Sequence, residues 1–477
     1  MFIGREKELQ FLQERYDSPK SELIVLYGRR RIGKTELLRQ FIKGKQAVFY
    51  ACTECTDAEQ LARFSGKLLQ TGMPASHYVS SFSDWESAFE SLPDIPRDGK
   101  KIVILDEFPY ACKGNPEIPS ILQNLWDHKL AQANILLILC GSSMSFIEKE
   151  LLGEKNPLYG RATGIYKLSP LPFTAVQQFF PRYTEEEQIA VYGILGGIPH
   201  YLIQFDPGKP LAENIQKNIL QKGCVLYNEV SFLLHQELRE TSVYNAIIEA
   251  VALGSNTLSL IHGKTQLEKS KISAYLRNLM ELGIIEREFS VLTTAKEREG
   301  SQRGLYQLTD PYFRFWYAFV YGNYSELETG DAAGVWRFQI QPQLHQFVSH
   351  TYETVCIEYL RQCNRAGKLP FHFTKAGRWW EKVTHSINGQ KRTVAEEIDC
   401  VATNREMSQF LLAECKFRHE PADTDILTQL KQKFPSKKYP GTYSYAIFSF
   451  YGFTESLKKQ AEKEGVLLRK GTEPIEI

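Results

Sequence analysis

The sequence predicts an α/β protein built on a parallel sheet, with further helical segments and a second α/β domain at its C-terminal end. Three observations predict it. Short apolar runs alternate with helical stretches between Leu23 and Pro170, the pattern of strands buried on both faces and crossed over by helices. A glycine-rich turn at Gly28 joins one such strand to a helix. After Val335 the order changes to one helix, then strands, then alternating helix and strand.

The four strands expected in the first part are Leu23–Tyr27, Ala47–Ala51, Ile102–Leu105 and Ile135–Leu139. From Thr174 to Glu237 the apolar periodicity is helical, and from Leu238 to Val320 short helices precede a hairpin. At 477 residues the chain exceeds one ordinary core. The divisions expected are 1–172, 173–237, 238–334 and 335–477.

Composition narrows the function classes. With 43% hydrophobic and 24% charged residues the chain has the make-up of a soluble globular protein. Lys+Arg 57 against Asp+Glu 56 leaves a net charge of +1, so no global basic field points to nucleic acid and any contact depends on local patches. No run is long enough to span a bilayer, and the charged start Met1–Glu6 has no leader-like apolar stretch. Nine scattered cysteines do not form a disulfide framework; Cys52 and Cys55 have C-x-x-C spacing but no second pair to fill a metal site. A cytoplasmic protein without membrane association is expected. A homo-oligomer is compatible with the sequence, which fixes no oligomeric state.

The segment Gly28-Arg29-Arg30-Arg31-Ile32-Gly33-Lys34-Thr35 fits G-x-x-x-x-G-K-[ST] at every fixed position, between a strand and a helix. Such a loop wraps phosphates with backbone N–H groups, aided by the positive end of the helix. Lys34 is expected to reach the β- and γ-phosphates of ATP and Thr35 to ligate Mg2+. The strand Ile102–Leu105 delivers Asp106 and Glu107 at the sheet edge where ligands of open α/β sheets bind. Asp106 is placed to hold magnesium, and Glu107 to orient and deprotonate the attacking water. After Ile135–Leu139, Ser142 or Ser143 either senses the γ-phosphate or simply forms a turn.

Phe2–Leu9, the loop with its arginines, Leu105-Asp106-Glu107-Phe108 and Gly141-Ser142-Ser143 together resemble the archaeal-type ATPases, on the AAA-plus/STAND side of the P-loop NTPases. The resemblance implies a P-loop NTPase sheet with a helical lid. It places Ile3, Gly4 and Arg5 near the adenine and lets Pro199, in Leu195–His200, close over the base. It makes Arg161 a candidate γ-phosphate contact.

In the middle segment, helices at Tyr244–Ala252, Thr257–Ile261 and Lys269–Leu282 precede paired strands at Gly283–Arg287 and Leu305–Leu308, an order that reads as a winged helix. Lys269, Lys271 and Arg277 suit DNA phosphates, but the same helix can serve only to pack, and both readings stand. The aromatic stretch Phe313–Phe319 reads as core rather than as a base-stacking platform.

In the last segment, Glu414 and Lys416 are two apart and share a strand face, Asp399 comes from the preceding strand, and Glu353 lies on the helix Phe347–Cys363. Two carboxylates and a lysine form a site for Mg2+ or Mn2+ that helps activate water; the plain alternative is a surface ion-pair ladder. Gly377-Arg378-Trp379-Trp380, Glu397-Ile398-Asp399 and Glu414-Cys415-Lys416 resemble the PD-(D/E)XK nuclease-like, restriction-endonuclease-like domain often fused to archaeal-type ATPases. That resemblance implies Glu353, Asp399, Glu414 and Lys416 as its site, although Ile398 stands where the family name has proline. The function expected is an ATP hydrolase that acts on DNA or is regulated by it, with a metal-dependent nuclease domain. The alternative is a STAND-type regulatory ATPase whose last domain is a non-catalytic scaffold.

Overall fold

The structure is a computed structural model that describes residues 2–153, 156–238, 240–299, 301, 304–387 and 390–472; Met1, which opens the charged N-terminal stretch, lies outside them. The chain divides into two compact units. The first comprises the chain up to Leu171 with Ile198–Ile203 and Glu281–Gly283, and the second Pro172–Gly197, Gln204–Met280 and Ile284 onward.

The first unit is organised by five strands: β1 (Glu22–Tyr27), β2 (Ala47–Ala51), β3 (Lys101–Asp106), β4 (Ile135–Gly141) and β5 (Gly164–Lys167). They pair in the order β2-β3-β4-β1-β5, and every pairing is parallel. All seven residues of β4 and all six of β1 are buried. Such strands have no polar face to alternate, which is why they read as continuous apolar runs. Each fully buried Leu or Ile contributes about 1.5–3 kcal/mol of transfer free energy. One polar contact helps fix the start of β4: the Ser21 hydroxyl accepts the Ile135 N–H at 3.1 Å. The sequence reading omits β5, whose four residues include the half-exposed Ile165 and so give no apolar run.

Register decides where the chemistry falls. Tyr27 is level with Gly141, Ala51 with Asp106 and Leu105 with Leu139. The ends of β1, β4 and β3 therefore release Gly28, Ser142 and Glu107 at one edge.

In the second unit, helices Thr241–Ala252, Leu258–Thr265 and Lys269–Glu281 (the last up to Met280) precede an antiparallel hairpin of β6 (Ile285–Glu288) and β7 (Leu305–Leu308). Ile272, Leu276 and Leu279 bury one face of the third helix and leave Lys269, Lys271 and Arg277 exposed. The rings of Phe313, Phe315, Trp316, Tyr317 and Phe319 are buried, and Trp316 donates its indole N–H to the Tyr227 carbonyl at 2.8 Å.

A 25-residue helix, Gln341–Arg365, leads into a mixed sheet of β8 (Lys375–Ile387), β9 (Gln390–Thr403), β10 (Gln409–Lys416), β11 (Thr442–Ser449) and β12 (Leu467–Lys470), in the order β12-β11-β10-β9-β8. β8, β9 and β10 are antiparallel neighbours, while β10, β11 and β12 run parallel through helices Thr424–Lys433 and Glu455–Glu464. Trp379, Ile398, Phe410, Leu430 and Phe434 form a core against this sheet. A register shift between Gly377 and Trp379 separates the buried Trp379 from Arg378, which pairs with acidic neighbours.

Candidate nucleotide site and acidic cluster

The Gly28–Thr35 loop turns back through left-handed backbone at Arg31 (φ 70°) and Gly33 (φ 90°), and Gly33 caps the helix Lys34–Phe41. Only glycine adopts the second angle without strain. A Cβ at position 33 would stand 3.6 Å from Cγ of Pro199, so the short helix Pro199–Leu202 lies against the loop. Arg5 is 5% exposed. It donates to the carbonyls of Ser169 at 2.8 Å and Ile32 at 3.1 Å and pairs with Glu8 at 3.0 Å. The guanidinium thus braces the loop backbone, and burial lowers its pKa. Ile3 and Gly4 immediately precede it, with Gly4 in the left-handed region (φ 71°).

Lys34 is buried at the loop's centre, and its ammonium donates to the carbonyls of Gly28 at 2.9 Å and Arg29 at 3.1 Å. Burial lowers its pKa, and the nearby Arg30 acts in the same direction. The Thr35 hydroxyl donates to Asp106 Oδ2 at 2.7 Å. The loop and the end of β3 therefore meet through two oxygen ligands suited to a hard cation.

Glu107 departs from ordinary backbone geometry, with φ 53°. A non-glycine residue there costs on the order of 1–3 kcal/mol. The strained turn is held by the Glu107 N–H donating to Asp106 Oδ1 at 3.1 Å and the Phe108 N–H to the Cys140 carbonyl at 2.8 Å. Ser142 fixes the side chain: its N–H and hydroxyl donate to Glu107 Oε2 at 3.1 and 2.8 Å. Arg161 pairs with Asp127 through Nη2 at 3.0 Å and Nε at 3.3 Å. That partner on the helix Ile118–His128 has no sequence signature. Arg29, Arg30 and Arg31 all make interactions of their own.

The second cluster lies on β9 and β10. Ala413 faces Cys400, so Glu414 and Asp399 follow side by side, and Asp399 Oδ2 accepts the Cys415 N–H at 2.7 Å. Lys416 and Lys433 both reach Glu414 Oε1, each at 2.9 Å. Lys433 comes from the end of the helix Thr424–Lys433 and is invisible to sequence reasoning, because nothing in its spacing ties it to β10. Glu414 Oε2 is buried with no hydrogen-bond partner among the described residues.

Burial, then the charges of Glu414 and Glu353, push the Asp399 carboxyl up to about 7 against the pull of Lys416. Burial works against the charged form of Lys416, but Glu414 and Asp399 outweigh it and raise its pKa. Glu353 accepts from His350 at 2.9 Å and stands 3.9 Å from Arg378, which also pairs with Glu288 and Glu397. Asp399, Glu414 and Lys416 are thus brought together, while Glu353 is shared with an arginine network.

Residues 2–205 match a family described as an ATPase domain predominantly from Archaea, and residues 316–428 match one described as archaeal and bacterial proteins of unknown function. An uncharacterized protein of Methanocaldococcus jannaschii is 34% identical over 447 residues, covering 93% of this chain and 94% of that protein. The chain belongs to the archaeal-type ATPase family. An uncharacterized ATP-binding protein of the same organism is 48% identical over 46 residues, which is 10% of this chain and 78% of that one. A solved Walker-type ATPase of Pyrococcus abyssi is similar at 23% identity with a TM-score of 0.48, over 66% of this chain and 96% of that chain. In this member of the archaeal-type family the loop is carried by the parallel sheet, within the residues that match the ATPase domain. Among its described residues no helix is long and apolar enough to cross a membrane.

The raised Asp399 pKa has a consequence for folding. The folded protein keeps that proton to about pH 7, whereas an ordinary aspartate releases it near 3.8. Stability from this group is therefore fully present below about pH 4 and is lost as pH rises through about 7. Asp399→Asn keeps an oxygen acceptor and has no charge to bury. In chelator-treated protein it should raise the melting temperature at pH 8, by the equivalent of a few kcal/mol, and leave it nearly unchanged at pH 4. Thermal unfolding at both pH values checks this; an equal effect at both would contradict it.

Proposed function

We propose that the chain hydrolyses ATP with magnesium at the Gly28–Thr35 loop and uses its nucleotide state to govern metal-dependent cleavage of DNA by the Asp399/Glu414/Lys416 cluster. In this reading residues 1–172 form the ATPase domain, 173–237 a helical lid, 238–334 a winged helix and 335–477 the nuclease-like domain.

The observation that carries the ATPase assignment is the pair of contacts at one sheet edge, Thr35–Asp106 and Glu107–Ser142. Thr35 and Asp106 are the residues that would hold magnesium, which offsets triphosphate charge when bound. Lys34, already aimed into the loop, exchanges its carbonyl partners for the β- and γ-phosphates. Glu107 accepts a proton from the attacking water, and Ser142 keeps that carboxylate oriented. Pro199 and the Ile3–Arg5 segment flank the base, with Arg5 acting through the loop backbone. Arg161 becomes a γ-phosphate contact once it leaves Asp127.

For the C-terminal cluster, Glu414 Oε2, without a hydrogen-bond partner among the described residues, and the crowded charge of Asp399 support a divalent cation, Mg2+ or Mn2+. Such a cation polarises a phosphodiester, while Lys416 steadies the developing charge. DNA would be met by the exposed face carrying Lys269, Lys271 and Arg277. One observation favours the scaffold reading instead: two lysines already satisfy Glu414 Oε1, as in an ion-pair ladder.

Lys34→Ala should weaken ATP binding by on the order of 100-fold. Glu107→Gln should bind ATP normally and turn it over at least about 100-fold more slowly. Calorimetry and phosphate release measure the two, and wild-type turnover in Glu107→Gln would remove the assignment of the base.

Plasmid, linear and single-stranded DNA incubated with Mg2+ or Mn2+ and ATP test the nuclease reading. Cutting should disappear in Asp399→Ala and Lys416→Ala while ATP hydrolysis stays unchanged. Metal binding without cleavage of any form would favour the scaffold, and cleavage persisting in Asp399→Ala would remove the site.

A further inference from the structure

A second group of potential ligands lies apart from both sites. Glu186 stands in the first turn of the helix Glu185–Leu195, His345 in the helix Gln341–Arg365, and His419 just beyond β10. Their ligand atoms all lie within 4.8 Å of one another, and no other trio of His, Cys and carboxylate ligands among the described residues does so. The His345 ring is sandwiched between Phe417, at 4.6 Å and 17°, and His419, at 4.3 Å and 24°. Its Nε2 is shielded from solvent and has no hydrogen-bond partner among the described residues. A carboxylate oxygen, Glu186 Oε1, faces it from 4.0 Å, too far for a hydrogen bond. The other oxygen, Oε2, accepts the Tyr451 hydroxyl at 3.0 Å.

We propose that Glu186, His345 and His419 bind a divalent transition cation of the zinc class, with Tyr451 as a positioning residue for the carboxylate. A buried imidazole nitrogen without a donor or acceptor is costly, and a cation answers it directly. Two imidazoles and one carboxylate form a three-ligand set that leaves a fourth position for water. Imidazole also selects zinc, cobalt or nickel over magnesium. Bonds of about 2.0–2.1 Å place tetrahedral ligands about 3.4 Å apart, so closure needs roughly an ångström of side-chain movement. His419, the exposed member, would supply it by shifting on the His345 ring. Tyr451 plays the outer-shell part: its hydrogen bond to Oε2 directs Oε1 toward the two rings. The cation would tie the start of one helix to a second helix and to the segment following β10.

Zinc is the probe. The full chain, stripped with chelator, is titrated by calorimetry and its bound metal counted after dialysis. The protein should bind about one zinc per chain that survives Asp399→Asn and Glu414→Gln. His419→Ala should weaken this zinc at least about tenfold, and Tyr451→Phe by about 10–100-fold. His419→Ala should keep its circular dichroism and ATP hydrolysis, so that loss of metal is not loss of fold. Cobalt in place of zinc should give a visible spectrum without thiolate charge transfer, since all nine cysteines are free thiols outside this trio. Absence of zinc binding by the wild-type chain would overturn the proposal. So would zinc bound equally well by His419→Ala.

Discussion

The parallel register of β1, β4 and β3 is the constraint on which the rest of the ATPase unit depends. Because Tyr27 is level with Gly141 and Leu105 with Leu139, three strands end together. That common edge brings Thr35 within 2.7 Å of Asp106 and Ser142 within 2.8 Å of Glu107. A slip of one residue would turn each side chain to the opposite face and separate both pairs. The uniformly buried strands make such a slip expensive. The apolar runs that specify the fold therefore also hold the polar site in register.

Both clusters place charge where water is scarce, and they balance it differently. In the loop, Lys34 is buried against carbonyl oxygens that a phosphate can displace, and Glu107 sits on strained backbone held by its neighbours. Strain of this kind persists where the surroundings over-determine it, and it preorganises a group rather than leaving it to search. In the C-terminal sheet the imbalance is electrostatic. Burial and the charges of Glu414 and Glu353 weigh against an ionised Asp399, and Lys416 offsets only part of that. Two lysines satisfy Glu414 Oε1, while Glu414 Oε2 is buried without a hydrogen-bond partner among the described residues.

The placement of loops and strands is legible in the sequence where one local pattern carries the signal. The Gly28–Thr35 spacing, the strand ending in Asp106-Glu107 and the alternation of Glu414 with Lys416 each lie within a few residues. Contacts between distant segments were not legible. Lys433 reaches Glu414 from a helix end, Asp127 holds Arg161, and His345 meets His419 and Glu186 from three separate elements. Short or half-exposed strands were missed for a related reason: Gly164–Lys167 has too little buried surface to leave an apolar signature. Most described residues of β8 and of the first part of β9 are not buried, so only Glu397–Ala402 reads as strand. The Arg5 brace also had no signal in spacing, since its partners are backbone carbonyls.

The central claim is that the loop, the end of β3 and the end of β4 act as one ATP site. A crystal structure of the full chain with a non-hydrolysable ATP analogue and magnesium tests it most directly. The triphosphate should lie in the Gly28–Thr35 loop, with Lys34 Nζ moved from the Gly28 and Arg29 carbonyls onto phosphate oxygens and Thr35 and Asp106 gathered around the magnesium. Nucleotide bound elsewhere, or bound with Lys34 still on those two carbonyls, would contradict the account.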